Sequence, residues 1–375
     1  MQAVPALRAV GAGARVTFCG QPRLGSLLAG TGVVDEAVSF DGFGLDALFS
    51  REPAPRVLAE KLGRFQEIMS WFGSRDARYV EQLRAIAPGC VVAPPQPGVD
   101  APADRGRESA CSSHLSATVG EGARLGAIHR GGARAVPVAE SAAALRSTVP
   151  GADSTAARPL TVWEHLLATV GTLHPRRRRP TTALATSAEV EADEGRGLLI
   201  GPLVVPQAWR ADGLRALHAS QLHSDKPVLF VHPGAGGVWK LAPPDLLARV
   251  ISSLMKRGGI QVLVHAGPAD REAADQLVRL LDAPTSLLVE PPLTLLAGVL
   301  SCAAGYLGGD SGLSHLAAAV GTPAIILFPA ATLGRWAPWS QTARPISMEG
   351  DQAAVASAAT AALSEAISAW RSPGP

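Results

Sequence analysis

The chain of 375 residues is long enough for two domains, and its 47% of hydrophobic residues indicates a globular protein with a sizeable core. Its 34 basic and 32 acidic residues nearly balance, so the composition does not favour nucleic acid as a partner. The four cysteines lie far apart and form no C-x-x-C pair, which argues against a zinc site and against a dense disulfide framework.

The first residues contain no apolar stretch long enough for a signal peptide, and no window has the roughly 18 consecutive apolar residues that span a bilayer. We therefore expect a cytoplasmic protein, with peripheral contact at the inner face of the cytoplasmic membrane as the alternative. Four arginines at 176–179 would suit an anionic surface, but acidic residues follow over 189–194 and no aromatic residues interleave. This stretch is interpreted as a solvated linker.

The first half of the chain has an irregular pattern of apolar runs. Strands are predicted over 14–20, 36–41 and 90–95, and a helix after the prolines of 53–72. The segment 96–225 is rich in Gly, Pro, Ala and Ser, and most of it is predicted to be loop or linker. We interpret residues 1–222 as a degenerate, Rossmann-like amino-terminal domain.

From about residue 226, short apolar runs alternate with stretches of helical period. Strands are predicted over 228–231, 260–264, 285–289, 303–307 and 324–328, and helices over 243–257, 269–281, 293–301 and 312–320. This alternation predicts a doubly wound parallel sheet in an α/β domain over 223–375, which ends in an Ala-rich helix over 352–371. Ligands of such sheets bind beyond the carboxyl ends of the strands.

A glycine-rich loop follows the first of these strands. Gly234, Gly236 and Gly237 would allow a ligand to approach the backbone closely, and Lys240 follows three residues later. That combination suits a phosphate, although the spacing fits neither the P-loop nor the dinucleotide fingerprint. An ordinary glycine-rich turn with a surface lysine is the alternative.

The sequence GGDSGLSH forms a second such junction, after the predicted strand 303–307. Gly308 and Gly309 are expected to let the chain turn without steric clashes. The helix that begins near Gly312 should present unpaired amides and a partial positive charge. This end of the helix would suit a diphosphate.

Three polar residues of the second junction are candidate ligand contacts. Asp310 and Ser311 should reach the same sheet edge as the first loop, and His315 shares one face of the first helical turn with Ser311. A carboxylate would repel a diphosphate, so Asp310 is expected to contact hydroxyl groups or to orient a neighbouring donor. Its alternative role is that of the helix N-cap.

A third junction at this edge offers Asp270 and Glu272 as acceptors for ribose hydroxyls, with ordinary surface positions on a helix as the alternative. Arg335 and the neighbouring tryptophans add a basic and aromatic surface after the last predicted strand. A hydrolase triad is not supported, because Ser311 and His315 lie on one helical turn and no G-x-S-x-G elbow is present. No cluster of His, Cys or Asp has the spacing of a metal site.

Across residues 228–340, the order H-P-G-x-G-G-x-x-K, G-P-A-D-R-E and G-G-D-S-G-L-S-H-L-A-A-A-V-G-T-P resembles the carboxyl-terminal half of glycosyltransferase family 9, the ADP-heptose:lipopolysaccharide heptosyltransferases. The segment 6–41 is similar to the second strand of that family with its flanking helices, and 162–173 is similar to its helix before the domain linker. The resemblance implies the GT-B fold, in which two Rossmann-like domains face a cleft and the carboxyl-terminal domain binds the nucleotide-sugar.

The resemblance also implies site residues and chemistry. Donor contacts would come from Gly234, Ala235, Gly236, Gly237, Lys240, Asp310, Ser311, Gly312 and His315. The implied activity is inverting transfer of a heptose-like sugar from a nucleotide diphosphate, with ADP-heptose preferred, to a bacterial cell-envelope glycan or glycolipid, as in lipopolysaccharide biosynthesis. Neither a metal nor a cofactor is expected, because the nucleotide-sugar is a substrate.

The sequence departs from the family pattern at its amino terminus. The family begins with a strand and a Gly-Asp loop whose carboxylate is the expected base for the acceptor hydroxyl, and this chain has no counterpart of that segment. The amino-terminal domain is therefore expected to be incomplete, and no catalytic residue is assigned. The alternative function is a non-catalytic nucleotide-sugar-binding relic or regulator, and a third is a sugar-nucleotide epimerase of the same fold.

Overall fold

A computed structural model describes residues 1–11, 14–97, 160–170, 200–281 and 283–372. The described residues belong to one compact unit made of Met1–Ala101 and Pro159–Pro375. The arginine run at 176–179 and the acidic stretch that follows it lie outside the described residues. Within these described ranges, no helix combines the length and the apolar character needed to cross a membrane.

The amino-terminal region is built from short elements. They are α1 Val4–Gly11, β1 Thr17–Gly20, α2 Pro22–Gly30, β2 Glu36–Ser39, α3 Phe40–Phe43, α4 Arg56–Leu62, β3 Met69–Ser70, α5 Ala77–Ile86, β4 Val91–Val92 and α6 Val162–Val170, with a 3-10 helix at Leu45–Phe49. Strand β1 pairs with β2 and β3 pairs with β4, both in parallel. Each pair forms a separate two-stranded sheet.

Two predictions for this region need correction. The strand expected over 36–41 ends at Ser39, because the Ser39 hydroxyl accepts the Gly42 amide and caps α3. The helix expected within 53–72 ends at Leu62, and Met69–Ser70 is a strand instead. A strand of two residues is too short for an alternating apolar pattern to predict it from the sequence.

The carboxyl-terminal region is regular. Its elements are α7 Gln207–Ala219, β5 Val228–His232, α8 Pro244–Lys256, β6 Gln261–Ala266, α9 Arg271–Leu280, β7 Ser286–Val289, α10 Leu293–Cys302, β8 Gly305–Gly309, α11 Gly312–Ala319, β9 Ala324–Phe328, α12 Ala330–Trp336, β10 Ala343–Ser347 and α13 Gln352–Ala369. The five predicted strands, the helices between them and the terminal helix are confirmed. Helices α7 and α12 and strand β10 were not expected. Helix α7 lies within 96–225, and most of that predicted loop or linker segment lies outside the described residues.

The six strands form one parallel sheet in the order β10-β9-β8-β5-β6-β7. This confirms the predicted doubly wound sheet. The chain moves outward from β5 in one direction and from β8 in the other, so the order reverses between these two central strands. A crevice forms at such a reversal, outside the carboxyl ends of the two strands, and it is where open α/β sheets bind their ligands.

Both faces of the sheet are covered, which explains why its central strands are apolar throughout. Every residue of β5, β8 and β9 is buried. On one face Phe230 and Tyr306 pack in a cluster with residues of α10 and α11. On the other face Leu229 and Leu307 pack with residues of α8 and α13. The sheet is therefore a rigid platform for the loops at its edge.

Helices α7 and α10 cross in close backbone contact, and two glycines make this possible. A Cβ atom at Gly298 would overlap the Trp209 carbonyl oxygen, and one at Gly213 would overlap the backbone of Gly298. Gly298→Ala is therefore expected to lower the free energy of unfolding by about 3 kcal/mol or more, because backbone atoms cannot rotate away. Chemical denaturation measures this loss.

A glycine without near neighbours provides the control for that variant. Gly334 lies in α12, and a Cβ atom there would meet nothing within 4 Å. Gly334→Ala is expected to leave stability unchanged or to raise it by up to about 1 kcal/mol, through helix propensity. Equal effects of the two substitutions would contradict the packing of α7 on α10.

Candidate functional site

The two glycine-rich junctions meet at the reversal of strand order. Strand β5 leads into the loop 233–237 and a 3-10 helix at Val238–Lys240, and β8 leads through Asp310 into α11. The register pairs His232 with Gly308, so the two loops leave the sheet at the same level. Fold topology thus brings together the two segments predicted to form one site.

Gly308 and Gly309 have a different role from the one expected. Both lie in strand β8, and neither has a positive φ, so they do not make the turn. A Cβ atom at Gly309 would lie 3.0 Å from the Lys240 carbonyl oxygen, and one at Gly308 would lie 2.8 Å from the His232 carbonyl oxygen. The two glycines let the first loop pack directly against the end of β8.

Ser311, and not Asp310, caps helix α11. The Ser311 Oγ accepts the Ser314 amide at 3.2 Å and lies 2.9 Å from the Ser314 hydroxyl, which also lies 2.8 Å from the Tyr306 hydroxyl. The Ser314 hydroxyl donates to the Gly309 carbonyl at 2.5 Å. Sequence reasoning missed Ser314 and Tyr306, although a serine three residues after an N-cap serine was a usable signal.

This buried network fixes the first turn of α11 on the end of β8. The Ser311 cap accepts a hydrogen bond from the amide of Ser314. The amides of Gly312 and Leu313 come before it, so they have no partner inside the helix. Gly312 is exposed, and nothing lies within 4 Å of the position of a Cβ atom there. The turn therefore offers accessible backbone donors and the positive end of a helix dipole.

Lys240 reaches the same point from the other loop. Its ammonium group lies 3.0 Å from Asp310 Oδ2, and both side chains are largely buried. The two groups form an ion pair, but their geometry is not that of a hydrogen bond. The ammonium group also lies 5.1 Å from the centre of the Trp239 ring and 5.5 Å from that of Trp336. Aromatic faces attract a cation at such distances, so the two rings help to hold the Lys240 side chain at this point.

His315 lies beside this ion pair as a neutral imidazole. Burial, with the positive charges of the amino terminus and Lys240 nearby, lowers the pKa of His315 to about 3. Its Nε2 lies 3.8 Å from Asp310 Oδ1 and makes no hydrogen bond. Its Nδ1 lies 3.4 Å from the side-chain amide nitrogen of Gln2, a residue that the sequence did not indicate.

Two buried histidines, His232 and His265, lie next to the glycine-rich loop together with Asp270. His232 and His265 face each other with their Nδ1 atoms 3.1 Å apart, and His232 Nε2 lies 3.9 Å from Asp270 Oδ2. Burial lowers the pKa of both histidines to about 4, so both are neutral. Gly234 has no room for a Cβ atom because the Asp270 side chain fills that space.

The remaining predicted residues lie around this centre. Ala235 and Gly237 are half-buried and Gly236 is exposed, all in the loop after β5. Asp270 precedes α9 and packs under that loop, whereas Glu272 is exposed on the first turn of α9. Arg335 lies in α12 next to Trp336. Over the part of the chain that the structure describes, no group of three His, Cys, Asp or Glu residues could hold a metal ion.

Two cavities lie away from this centre. One of about 210 Å³ is lined by residues that precede β8 and β9, including Ala303 and Pro323, at the opposite edge of the sheet. Another of about 270 Å³ lies beside α1 and β1 and is lined by Arg8 and Asp35. The charged pair of Lys240 and Asp310, and buried polar atoms without a hydrogen bond, lie instead at the strand reversal.

Taken together, the fold and the site define a Rossmann-like domain with polar groups at the reversal of its strand order. The ammonium group of Lys240 and the neutral imidazole of His315 both lie beside Asp310, which immediately precedes the N-cap of α11. Phosphate groups of nucleotides bind to such combinations of backbone amides and a cationic side chain. These groups would suit a phosphorylated ligand.

Comparison with known proteins shows a family resemblance in the carboxyl-terminal region. Residues 202–363 match the model of glycosyltransferase family 9 (heptosyltransferase). The chain is 32% identical over 117 residues to lipopolysaccharide heptosyltransferase 3 of Escherichia coli K12, and 28% identical over 155 residues to lipopolysaccharide heptosyltransferase 2 of Salmonella typhimurium LT2. Residues 202–363 are thus similar to heptosyltransferases of glycosyltransferase family 9, and the resemblance predicted from the sequence is confirmed.

These two alignments are partial. They span 30% and 39% of this chain and 34% and 44% of the respective relatives, which is less than half of each relative's length. Residues 202–363, which match the family model, contain β5 to β10 and the predicted site residues from Gly234 to His315, but not Gln2. The relationship is therefore shown for the carboxyl-terminal half and leaves substrates and activity to be proposed.

Solved structures extend the likeness to the fold of nearly the whole chain. The ADP-heptose lipopolysaccharide heptosyltransferase II of E. coli matches 97% of this chain and 94% of its own, with a TM-score of 0.57 at 16% identity. The E. coli heptosyltransferase WaaC with ADP matches 97% and 95%, with a TM-score of 0.53 at 15% identity. The predicted α/β fold of the GT-B type is thereby confirmed. The missing amino-terminal strand and the domain boundary at 222 stay predictions.

Proposed function

We propose that this protein transfers a heptose-like sugar from a nucleoside diphosphate donor, ADP-heptose, to a glycan or glycolipid of the bacterial cell envelope. The observation that carries the proposal is the convergence of Lys240, His315 and the first turn of α11 at the strand reversal. The family match over residues 202–363 supports a sugar nucleotide as the phosphorylated ligand.

The geometry supports a chemical role for these groups in the leaving step. When the bond between the sugar and the diphosphate breaks, negative charge grows on the leaving phosphate oxygen. An ammonium group and helix amides that are already in place stabilise that charge without reorganisation. In the proposed complex, Lys240 and the amides of Gly312 and Leu313 supply this stabilisation, so no metal ion is required.

Asp310 has a role that follows from its present partner. Its carboxylate now holds the Lys240 ammonium group at 3.0 Å and is almost fully buried. A diphosphate would compete with Asp310 for Lys240, because opposite charges at this distance attract strongly in a partly dry site. Asp310 would then accept hydrogen bonds from hydroxyl groups of the donor, and we propose the same donor-binding role for the loop Gly234, Ala235, Gly236 and Gly237.

A transfer assay tests the proposed activity. The protein would be incubated with ADP-heptose and a panel of heptose-free and heptose-bearing lipopolysaccharide core acceptors, with release of ADP as the readout. We expect ADP release that depends on one acceptor class, persists in the presence of a chelator and gives a product with inverted anomeric configuration. Donor binding with no transfer to any acceptor would contradict the activity and favour a binding protein.

A further inference from the structure

Three buried polar atoms at the candidate site make no hydrogen bond, although one of them, Asp310 Oδ2, forms the ion pair with Lys240. They are Gln2 Oε1, Asp310 Oδ2 and His315 Nε2, and of the described side chains only Gln82 adds another such atom. Gln82 belongs to α5 and is remote in sequence from this site. Buried polar groups in proteins nearly always have partners, so Gln2 Oε1 and His315 Nε2, which make no hydrogen bond, point to a ligand at this place.

Gln2 connects this cluster to the tryptophan of α12. Its Nε2 donates a hydrogen bond to the Trp336 carbonyl oxygen at 3.0 Å, which sets the orientation of the amide, because the opposite orientation would place two oxygen atoms in contact. The same nitrogen lies 3.4 Å from His315 Nδ1. The side-chain amide nitrogen of Gln2 can only donate hydrogen bonds, so Nδ1 of His315 must be the acceptor.

This contact determines which ring nitrogen of His315 carries the proton. A neutral imidazole has one N–H group and one acceptor nitrogen. Because Nδ1 accepts the hydrogen bond from Gln2, the ring hydrogen is on Nε2. The ring is neutral because burial lowers its pKa to about 3, and the charged groups that face it are Asp310, Lys240 and the amino terminus. His315 therefore presents one buried N–H group that has no partner.

We propose that Gln2 is a positioning residue that holds His315 as its Nε2–H tautomer, so that the imidazole donates a hydrogen bond to a phosphate oxygen of the donor bound at Lys240. The ligand part of this assignment rests on the proposed function. The tautomer part rests on the contacts of Gln2 alone. Gln2 lies 313 positions from His315 in sequence, so the amino-terminal segment controls a donor site formed by the carboxyl-terminal sheet.

Nitrogen-15 NMR of the ligand-free protein tests the tautomer, since the shifts of the two ring nitrogens distinguish the protonated atom. With labelled histidine and His315→Phe to assign the signal, we expect His315 to carry its hydrogen on Nε2 in the wild type. Gln2→Met retains length and removes the amide donor, so a mixture of both tautomers is expected in that variant. A wild-type His315 with its hydrogen on Nδ1 would overturn the assignment.

Calorimetric titration with ADP tests whether Gln2 acts through His315. Gln2→Met is expected to weaken ADP binding by about tenfold, the worth of one hydrogen bond, in the wild-type background. In the His315→Phe background the same substitution is expected to change ADP affinity by less than about twofold. Equal losses in both backgrounds would overturn the positioning role, since a purely structural effect of Gln2 does not depend on His315.

The two measurements separate this proposal from the proposed function. If the wild type does not bind ADP, the donor site and the ligand part of the present proposal both fail. The NMR result still decides the role of Gln2, because it needs no ligand. If ADP binds and His315 carries its hydrogen on Nδ1, the proposed donor site is retained and the positioning role of Gln2 is rejected.

Discussion

Lys240→Met is expected to weaken ADP binding by about 100-fold, since charge-assisted contacts to phosphate contribute roughly 1.5–3 kcal/mol each. The loss should reach the upper part of that range for a structural reason. The substitution removes the ammonium group and leaves the buried Asp310 carboxylate, at present 3.0 Å away, as an uncompensated negative charge beside the diphosphate. Calorimetric titration measures the change.

Two further variants isolate the cause of this loss. Adding Asp310→Asn to Lys240→Met removes the residual repulsion and is expected to restore about tenfold of the affinity. Lys226→Met makes the same charge change at the exposed residue before β5, at the opposite edge of the sheet, and should leave ADP affinity unchanged. An equal effect of Lys226→Met and Lys240→Met would show that net charge, and not the site, controls binding.

The free energy of unfolding is expected to fall steeply as the pH drops from about 6.5 towards 4. His232 and His265 have their pKa lowered to about 4, and that of His315 is lowered to about 3, all chiefly by burial. Below pH 6.5 the unfolded chain therefore binds protons that the folded chain excludes, so stability rises with pH in this window. Each histidine contributes about 1.4 kcal/mol per pH unit, and the three together about 4.

Chemical denaturation at a series of pH values measures this dependence. His315→Gln should reduce the slope near pH 5 by about 1.4 kcal/mol per pH unit, because one of the three buried imidazoles is removed. His223→Gln, which removes an exposed imidazole, is the matched control. Asp270 acts in the opposite direction at lower pH, since burial raises its pKa. If the free energy of unfolding did not change between pH 6.5 and 4.5, the conclusion that the buried histidines are neutral would be refuted.

The carboxyl-terminal sheet could be predicted from the sequence because its strands are buried on both faces. Continuous apolar runs such as 324–328 stand out against the longer helical segments that separate them, and β9 coincides with that run. Strand β10 was missed because it is an edge strand with Pro345 in it, and none of its residues is fully buried. Helix α7 was missed because Gly213 weakens its pattern, although that glycine is required by the contact with α10.

The candidate site could be predicted in outline for a topological reason. The ends of neighbouring parallel strands meet, so Lys240 and the Asp310 junction were expected at one edge, and the structure places them 3.0 Å apart. The partners of His315 could not be predicted, because Gln2 approaches from the other end of the chain. The pairing of His232 with His265 was likewise invisible, since it depends on the register of β5 against β6.

The central claim is that the edge between β5 and β8 binds the diphosphate of a nucleotide. Parallel calorimetric titrations of the wild-type protein with ADP and with adenosine test it most directly. The arrangement of Lys240 and the first turn of α11 predicts that ADP binds and that adenosine binds at least about 100-fold more weakly, because the phosphates make the charged contacts. Equal affinity for the two ligands, or no binding of ADP, would contradict the claim.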